Sequence, residues 1–353
     1  MDKIRITSLS SSELKEFVLS LGQPAFRAGQ IFRWLHQRGA ASFAAMTDLP
    51  KALIARLDEQ CEIEHLSVAR KQVSRDGTVK YLFRLPDGNC IESVVMRYNY
   101  GNTICVSSEV GCRMGCRFCA STQNGLVRPL TSGEIAAQVY AAEADLGERI
   151  SHIVLMGIGE PLDNYDNVLA FVRLISSPDG LNIGMRNISL STCGLVPRIN
   201  QLAEERLGLT LSVSLHAPSD ALRSSMMPVN DAYPLAQLMP ACRAYQEKTG
   251  RRISFEYAMV KGTNDTPECA QQLAKLLRGM GAHVNLIPIN PVDGSPYSAS
   301  DAANVESFKE RLGRLGVNAT VRRRLGTDIS AACGQLRQEE AGRVKSNEDR
   351  RQD

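Results

Sequence analysis

Between Thr103 and Leu315, short apolar runs alternate six times with longer stretches of helical period, which limits this part of the chain to a parallel sheet covered by helices. The apolar runs fall near 103–107, 152–156, 187–191, 210–215, 253–259 and 283–288. The helical stretches fall near 131–147, 164–176, 197–206, 233–248, 266–281 and 302–315, and a seventh short strand is expected from Val317 to Arg323. Six strand–helix units fall short of a closed eight-stranded barrel, so the expected fold is α/β with an open, partial (β/α)6 barrel. Ligands of such a barrel collect at the carboxyl ends of its strands.

Those ends carry residues with chemistry. The first strand runs into Cys105-Val-Ser-Ser-Glu-Val-Gly-Cys112-Arg-Met-Gly-Cys116-Arg-Phe-Cys119, where Cys112, Cys116 and Cys119 can direct three thiolates at one small volume. Three thiolates on a 4Fe-4S cluster leave one iron open to chelate a small molecule. Zinc is a competing reading, but it takes a fourth ligand, commonly from a second cysteine pair, and the other seven cysteines are solitary. Buried free thiols are a third. Further strands end in Gly157-Ile-Gly159-Glu160, in Ser191, in Ser214-Leu215-His216 and in Asn290. Glycines let a backbone approach a ligand, Glu160 can accept from an ammonium, and Ser191, Ser214 and Asn290 can hydrogen-bond a carboxylate, ribose or adenine edge. His216 taken alone reads as a packed or solvated histidine.

Composition narrows the class. With 43% hydrophobic and 22% charged residues among 353, the chain has room for one large domain and a smaller one, and it is neither disordered nor coiled coil. Its N-terminus lacks the apolar core of a signal peptide, and no apolar run approaches the ~20 residues of a membrane span, so a cytoplasmic protein with no membrane partner is expected. Ten cysteines in that setting argue for reduced thiols, metal ligation or catalysis. A net charge of +3 permits an RNA partner without requiring one. Basic residues gather at Arg27, Arg33, His36 and Arg38, at Arg70, Lys71 and Arg75, and at Arg322 to Arg324, and such runs read first as solvated faces.

Ahead of the barrel, a capping box at Ser10–Glu13 opens a helix to about Leu21, a second runs from about Phe26 to Arg38, and a third follows Pro50 through Leu57. These make a small helical domain over residues 1–66. Alternation over 67–98, broken at Asp76-Gly77 and Asp87-Gly88, predicts a linking β-meander with strands at 67–73, 78–84 and 90–97. The barrel and a C-terminal loop take 99–336, and a polar tail takes 337–353.

The cysteine segment, Met156-Gly-Ile-Gly-Glu-Pro-Leu162, Leu190-Ser-Thr192, Ser214-Leu-His-Ala-Pro218, Asn285-Leu-Ile-Pro-Ile-Asn-Pro291 and Asp328-Ile-Ser-Ala-Ala-Cys-Gly-Gln-Leu336 together closely resemble the RlmN/Cfr family of radical S-adenosylmethionine (SAM) RNA methyltransferases. The similarity runs from about Leu14 to Leu336 and is greatest to the RlmN branch. It departs at Glu109, where Gln is common, and at Ser330, where Asp is common, and neither position is expected to touch a functional role.

The resemblance implies a 4Fe-4S cluster on Cys112, Cys116 and Cys119, with SAM held by Gly159, Glu160, Ser191, Ser214, Leu215, His216 and Asn290 and cleaved to a 5'-deoxyadenosyl radical. It implies methylation at C2 of an adenosine in the peptidyl-transferase region of 23S rRNA, and of adenosine 37 of tRNA; the Cfr branch methylates C8 instead. Cys333 is then the methyl carrier whose methylene radical adds to C2. Glu92 is the proton acceptor, and Cys105 attacks the Cys333 sulfur to leave a transient disulfide. Without the resemblance, Cys105 and Cys333 read as inert buried thiols and Glu92 as a solvent-facing acid. The family also implies a low-potential electron donor such as flavodoxin or ferredoxin, and the N-terminal helices with the adjacent hairpin are the expected RNA grip. A zinc-stabilised RNA-binding module without catalysis is the alternative from another class.

Overall fold

The computed structural model describes residues 3–289, 296–326, 328, 329 and 336. Asn290 and Cys333, both expected in the site, lie outside these described residues.

Residues 4–62 close on themselves. Strand β1 (Ile4–Arg5) pairs in parallel with β2 (Cys61–Glu62), and between them lie α1 (Ser11–Ser20), α2 (Phe26–His36) and α3 (Lys51–Gln60). Helix α1 starts at its capping box: Ser10 Oγ accepts from Glu13 N at 3.3 Å, and Ser10 N donates to Glu13 Oε2 at 2.8 Å. Apolar pairs at helical spacing, Leu14 with Val18, Ile31 with Leu35 and Leu53 with Leu57, build a separate small core. This unit docks on the N-terminal end of α4 (Ser132–Leu146). Glu64 accepts from Ser8 Oγ at 2.8 Å and from Thr131 Oγ1, while Ser8 Oγ accepts from Gly133 N at 3.0 Å. Further along α4, Tyr140 shares a 2.8 Å hydrogen bond with His36, whose burial lowers its pKa to about 4 and keeps it neutral.

Ten strands form the main sheet. β3 (Ser67–Val73), β4 (Val79–Arg84) and β5 (Cys90–Tyr98) are antiparallel, and Gly77 and Gly88 take the left-handed conformation in their turns. β5 then pairs antiparallel with β6 (Gly101–Cys105), so the meander extends the barrel sheet as well as leading into it. A separate ribbon of β7 (Glu109–Gly111) and β8 (Leu126–Pro129), too short to register as alternation, brackets the cysteine segment. From β6 onward the sheet is parallel, through β9 (Ile150–Leu155), β10 (Ile188–Thr192), β11 (Thr210–Ser214), β12 (Ser254–Met259), β13 (His283–Pro288) and β14 (Asn318–Val321), in that spatial order. The seventh parallel strand is therefore present.

Helices α5 (Tyr165–Ser176) and α6 (Val196–Glu204) follow β9 and β10. Between β11 and α9 (Leu235–Thr249) the chain makes two short helices that the sequence pattern does not announce, α7 (Asp220–Met226) and α8 (Val229–Ala232). α10 (Pro267–Leu276) stops before the expected residue 281 because Gly279 and Gly281 adopt positive φ, and α11 (Ala302–Arg314) precedes β14. No helix among the described residues is long and apolar enough to cross a membrane.

Alternation along the strands separates two faces. Leu155, Leu190, Val213, Tyr257 and Leu286 enter one core with the helices, where a fully buried aliphatic side chain contributes ~1.5–3 kcal/mol. The intervening positions, including Cys105, Ser191, Ser214, Glu256 and Asn285, give the opposite, inner face a polar lining. Buried polar groups there find partners: Asn285 Nδ2 donates to Glu256 Oε2 at 2.8 Å.

The docking contact gives the first prediction. A Cβ on Gly133 would lie 2.0 Å from Glu64 Oε2 and 2.8 Å from Ser8 Oγ. Gly133→Ala is expected to lower stability by ~1–3 kcal/mol through overpacking, seen as an earlier urea midpoint. A wild-type midpoint would show that the contact has room.

Candidate active site

The cysteine segment is held at many points. Cys112 N donates to Gly125 O at 3.0 Å, and a Cβ at Gly111 would lie 2.0 Å from that same oxygen, so the entry to the loop needs glycine. Arg117 N donates to Met226 O at 3.0 Å, tying the loop to the end of α7. Thr122 Oγ1 reaches Cys116 O at 3.2 Å and Cys119 O at 3.0 Å. Arg113 grips Asp163 through two hydrogen bonds of 2.7 and 2.5 Å. Along the loop, buried Cys112 and half-buried Cys116 and Cys119 are interleaved with exposed Arg113, Gly115 and Arg117.

Burial pushes the Cys112 thiol up to about 12, and Cys116 is raised by burial and then by its two neighbouring cysteines. Three thiols that resist ionisation until a cation arrives suit a metal-bearing group. Among the described residues no three His, Cys, Asp or Glu side chains converge as one metal ion requires. The three cysteines therefore fit a 4Fe-4S cluster, in which each thiolate takes a different iron, better than a zinc site.

The loop after β9 lies against the stretch that follows β6. Gly157 N donates to Val106 O at 3.1 Å, Ile158 N to Ser107 Oγ at 3.1 Å, and Ser108 N to Ile158 O at 2.9 Å. A Cβ at Gly157 would lie 2.6 Å from Val106 O, and one at Gly159, where φ is +108°, would lie 2.6 Å from Glu109 Cβ. The glycines are thus required by the approach of two backbones, in addition to any ligand. Glu160 is buried and accepts from Cys193 N at 2.7 Å and Leu162 N at 3.0 Å, which joins this loop to the end of β10; burial raises its pKa.

Glu109 corrects the expectation that this departure from the family pattern touches no role. Its Oε2 accepts from Glu160 N at 2.8 Å, and its side chain packs on Gly159. Burial raises its pKa to about 8, so at neutral pH the carboxyl keeps its proton and stands in for a neutral amide.

Ser191 and Ser214 sit at the ends of β10 and β11, paired in register with Ser212 and Glu256. Leu215 is fully buried, so its polar contribution is its backbone: N donates to Glu256 O at 3.1 Å, and its carbonyl accepts from Arg223 Nε at 3.2 Å. His216 turns the chain at φ +57°, and its Nδ1 accepts from Ala258 N at 2.9 Å. That bond places the proton of the neutral ring on Nε2, and burial lowers the pKa to about 3. The ring meets Phe118 of the cysteine loop edge-on, with centroids 4.9 Å apart.

Arg223 was not legible as a site residue. Fully buried on α7, it donates to Cys193 O at 2.6 Å, Ser214 O at 3.2 Å and Leu215 O, and to Asn230 Oδ1 at 3.0 Å. One guanidinium thus clamps the ends of β10 and β11 beneath the cysteine loop. Its charge lowers the pKa of Cys116, an effect that burial outweighs.

Glu92 and Cys105 come together on the inner face. Val94 of β5 pairs with Cys105 of β6, and Glu92 lies two residues along the same side. Glu92 is buried rather than solvent-facing, with Oε2 2.9 Å from Lys80 Nζ, and its carbonyl accepts from Ser107 Oγ at 2.7 Å. Cys105 is also buried. Asp328, in the motif that contains Cys333, is bound by Ser74 Oγ and, at 3.1 Å, by Arg75 N, and Gly326 N donates to Asp76 Oδ2 at 2.8 Å. The start of that motif is therefore anchored to the turn between β3 and β4.

Comparison with known proteins agrees with this arrangement. A family model described as the ribosomal RNA large subunit methyltransferase N-terminal domain matches residues 4–63, and the radical SAM superfamily model matches residues 106–277. A Desulforamulus reducens protein named "Probable dual-specificity RNA methyltransferase RlmN" is 52% identical over 337 residues, covering 95% of this chain and 96% of its own. A Lachnospira eligens protein of the same name is 51% identical over 333 residues, covering 94% and 95%. The crystal structure of a radical SAM methyltransferase from Sphaerobacter thermophilus superposes with a TM-score of 0.90 at 45% identity, covering 94% of this chain and 98% of that one.

The buried Glu109 carboxyl generates a pH prediction. An acid whose pKa is raised on folding binds its proton more tightly in the native state, so its contribution falls as pH climbs from the ordinary carboxylate range toward 8. Glu109→Gln should gain stability relative to wild type between about pH 5 and about pH 8, by ~1 kcal/mol or more, in urea unfolding. A constant difference across that range would show that Glu109 is ionised throughout.

Proposed function

The chain belongs to the RlmN family of radical SAM RNA methyltransferases, and from that premise we propose that it methylates C2 of an adenosine in the peptidyl-transferase region of 23S rRNA and adenosine 37 of tRNA. The observation that carries this reading is the placement of Glu92 and Cys105 side by side on the inner face of the barrel, next to the cysteine loop. A hydrolase or a plain binding module has no use for a buried thiol and a buried carboxylate in that position.

Enzymes of this family use a 4Fe-4S cluster and SAM. When bound, these supply methyl groups, a primary carbon radical from one-electron cleavage of the sulfonium, and a return path for that electron. Cys112, Cys116 and Cys119 hold the cluster. Gly159, Glu160, Ser191, Ser214, the Leu215 backbone, His216 and Asn290 hold SAM, with Glu160 facing its ammonium.

Adenine C2 is electron-poor, so it does not attack a methyl sulfonium as a nucleophile, whereas a carbon radical can add to it. Cys333 carries a methyl as a thioether and, as its methylene radical, joins C2. Glu92 takes the C2 proton. The Cys105 thiolate then attacks the Cys333 sulfur; the sulfur–methylene bond breaks, its electron pair stays on carbon and is protonated to methyl, and a Cys105–Cys333 disulfide remains.

The target base has to leave its stack to reach the inner face, which costs least in a loop. The helical unit suits the RNA grip: Phe26 is exposed under the Arg27 guanidinium, 4.8 Å from its ring centroid, and Arg38 covers Trp34 at 4.1 Å. A cytoplasmic setting with a flavodoxin or ferredoxin as electron donor completes the reading.

The two non-ligand cysteines separate this mechanism from a structural role. After anaerobic turnover with an rRNA fragment, Cys333→Ala should give neither methylated RNA nor adduct. Cys105→Ala should still load a methyl on Cys333 and then stall with protein and RNA joined, visible on a denaturing gel and by intact mass. Full methylation by Cys105→Ala, or a covalent complex with Cys333→Ala, would contradict these roles.

A further inference from the structure

We propose that Lys80 is a positioning residue for removal of the substrate proton, keeping the Glu92 carboxylate charged and fixed on the inner face of the barrel. The inference rests on the reading of Glu92 as the proton acceptor. Register pairs Leu82 with Glu92 and Lys80 with Val94, so Lys80 and Glu92 are diagonal neighbours on the face that also carries Cys105. Nζ and Oε2 are 2.9 Å apart, and the two side chains are 0% and 4% exposed. On the other face of these strands Val79, Tyr81, Ile91 and Val95 enter the apolar core.

A fully buried lysine in such a sheet calls for a reason. Hydrophobic residues of similar volume commonly replace a buried ion pair at no loss of stability, so stability alone does not explain the pair. Breaking a pair by removing one partner is another matter: the remaining charge has no counter-ion and the neutral form is favoured. A Glu92 left without its ammonium would take up a proton and lose the capacity to accept one from C2.

The charged and titratable groups on the elements around Glu92 leave Lys80 in this role. β6 contributes Cys105. β7 also packs on β5, but its Glu109 is bound to Glu160 N. On the opposite face, α4 carries Glu134, Glu143 and Asp145, which are engaged by Arg128, by Ile150 N and by Lys71 with Tyr81. In the step itself, the proton passes from C2 to a Glu92 oxygen, the C–H electron pair stays with the ring, and Lys80 keeps all its protons.

The test compares Lys80→Met, Lys80→Arg and Glu92→Gln with wild type in anaerobic single turnovers on an rRNA fragment, following methyl loading of Cys333, adduct formation and adduct decay against pH. Lys80→Met should load methyl and form adduct at wild-type rates. Its adduct should decay about tenfold more slowly near neutral pH and recover as pH rises by about one unit, while Lys80→Arg should stay near wild type. Glu92→Gln should trap the adduct at every pH. Wild-type decay and pH profile in Lys80→Met, with Glu92→Gln trapped, would overturn the role of Lys80 and spare that of Glu92. Loss of methyl loading and adduct formation in Lys80→Met would make the pair structural and also overturn the proposal. Normal adduct decay in Glu92→Gln would overturn both readings.

Discussion

The upper end of this barrel depends on the contact between two stretches of backbone, Val106 to Glu109 and Gly157 to Glu160. Their mutual hydrogen bonds leave no room for a Cβ at Gly157 or Gly159. Because β7 and the cysteine loop continue from the first stretch, and Glu160 reaches from the second to Cys193 N, one contact sets where the thiols stand relative to the ends of β9 and β10. Small residues are needed at this seam for packing before any ligand is considered.

Burial then decides the electrostatics. Acids placed in the interior are driven toward their neutral forms unless a cation or enough donors hold them, and the site uses both outcomes. Glu109 is left neutral and serves as a hydrogen-bonding spacer. Glu92 is given a lysine. Arg223 has no carboxylate among its hydrogen-bond acceptors; it spends its donors on three backbone carbonyls and an amide, and its charge faces the thiol side of the site. A buried cation beside cysteines fits a site that binds an anionic thiolate-ligated cluster.

Much of this was legible in the sequence. Period and turn residues located the strands of the main sheet, because one face of each strand is apolar and Asp-Gly turns leave little choice of register. The cysteine spacing identified the cluster loop. What stayed hidden depends on register between elements distant in the chain. Lys80 looks like an ordinary charge in an apolar strand until the hairpin at Gly88 sets it diagonal to Glu92. Arg223 lies on a helix of seven residues, too short for a periodic signal, and its partners are backbone carbonyls that leave no trace in side-chain identity. Glu109 looked unimportant because its contact is with a backbone amide on another loop.

The regiochemistry of the product is the most direct test of the central claim, since the inner-face carboxylate and thiol are assigned to chemistry at C2. In cells lacking their own C2 methyltransferase and complemented with this chain, mass spectrometry of nucleosides from 23S rRNA fragments covering the peptidyl-transferase region should find 2-methyladenosine at a single position. Finding 8-methyladenosine there, or unmodified adenosine in cells that contain the iron-loaded protein, would contradict it.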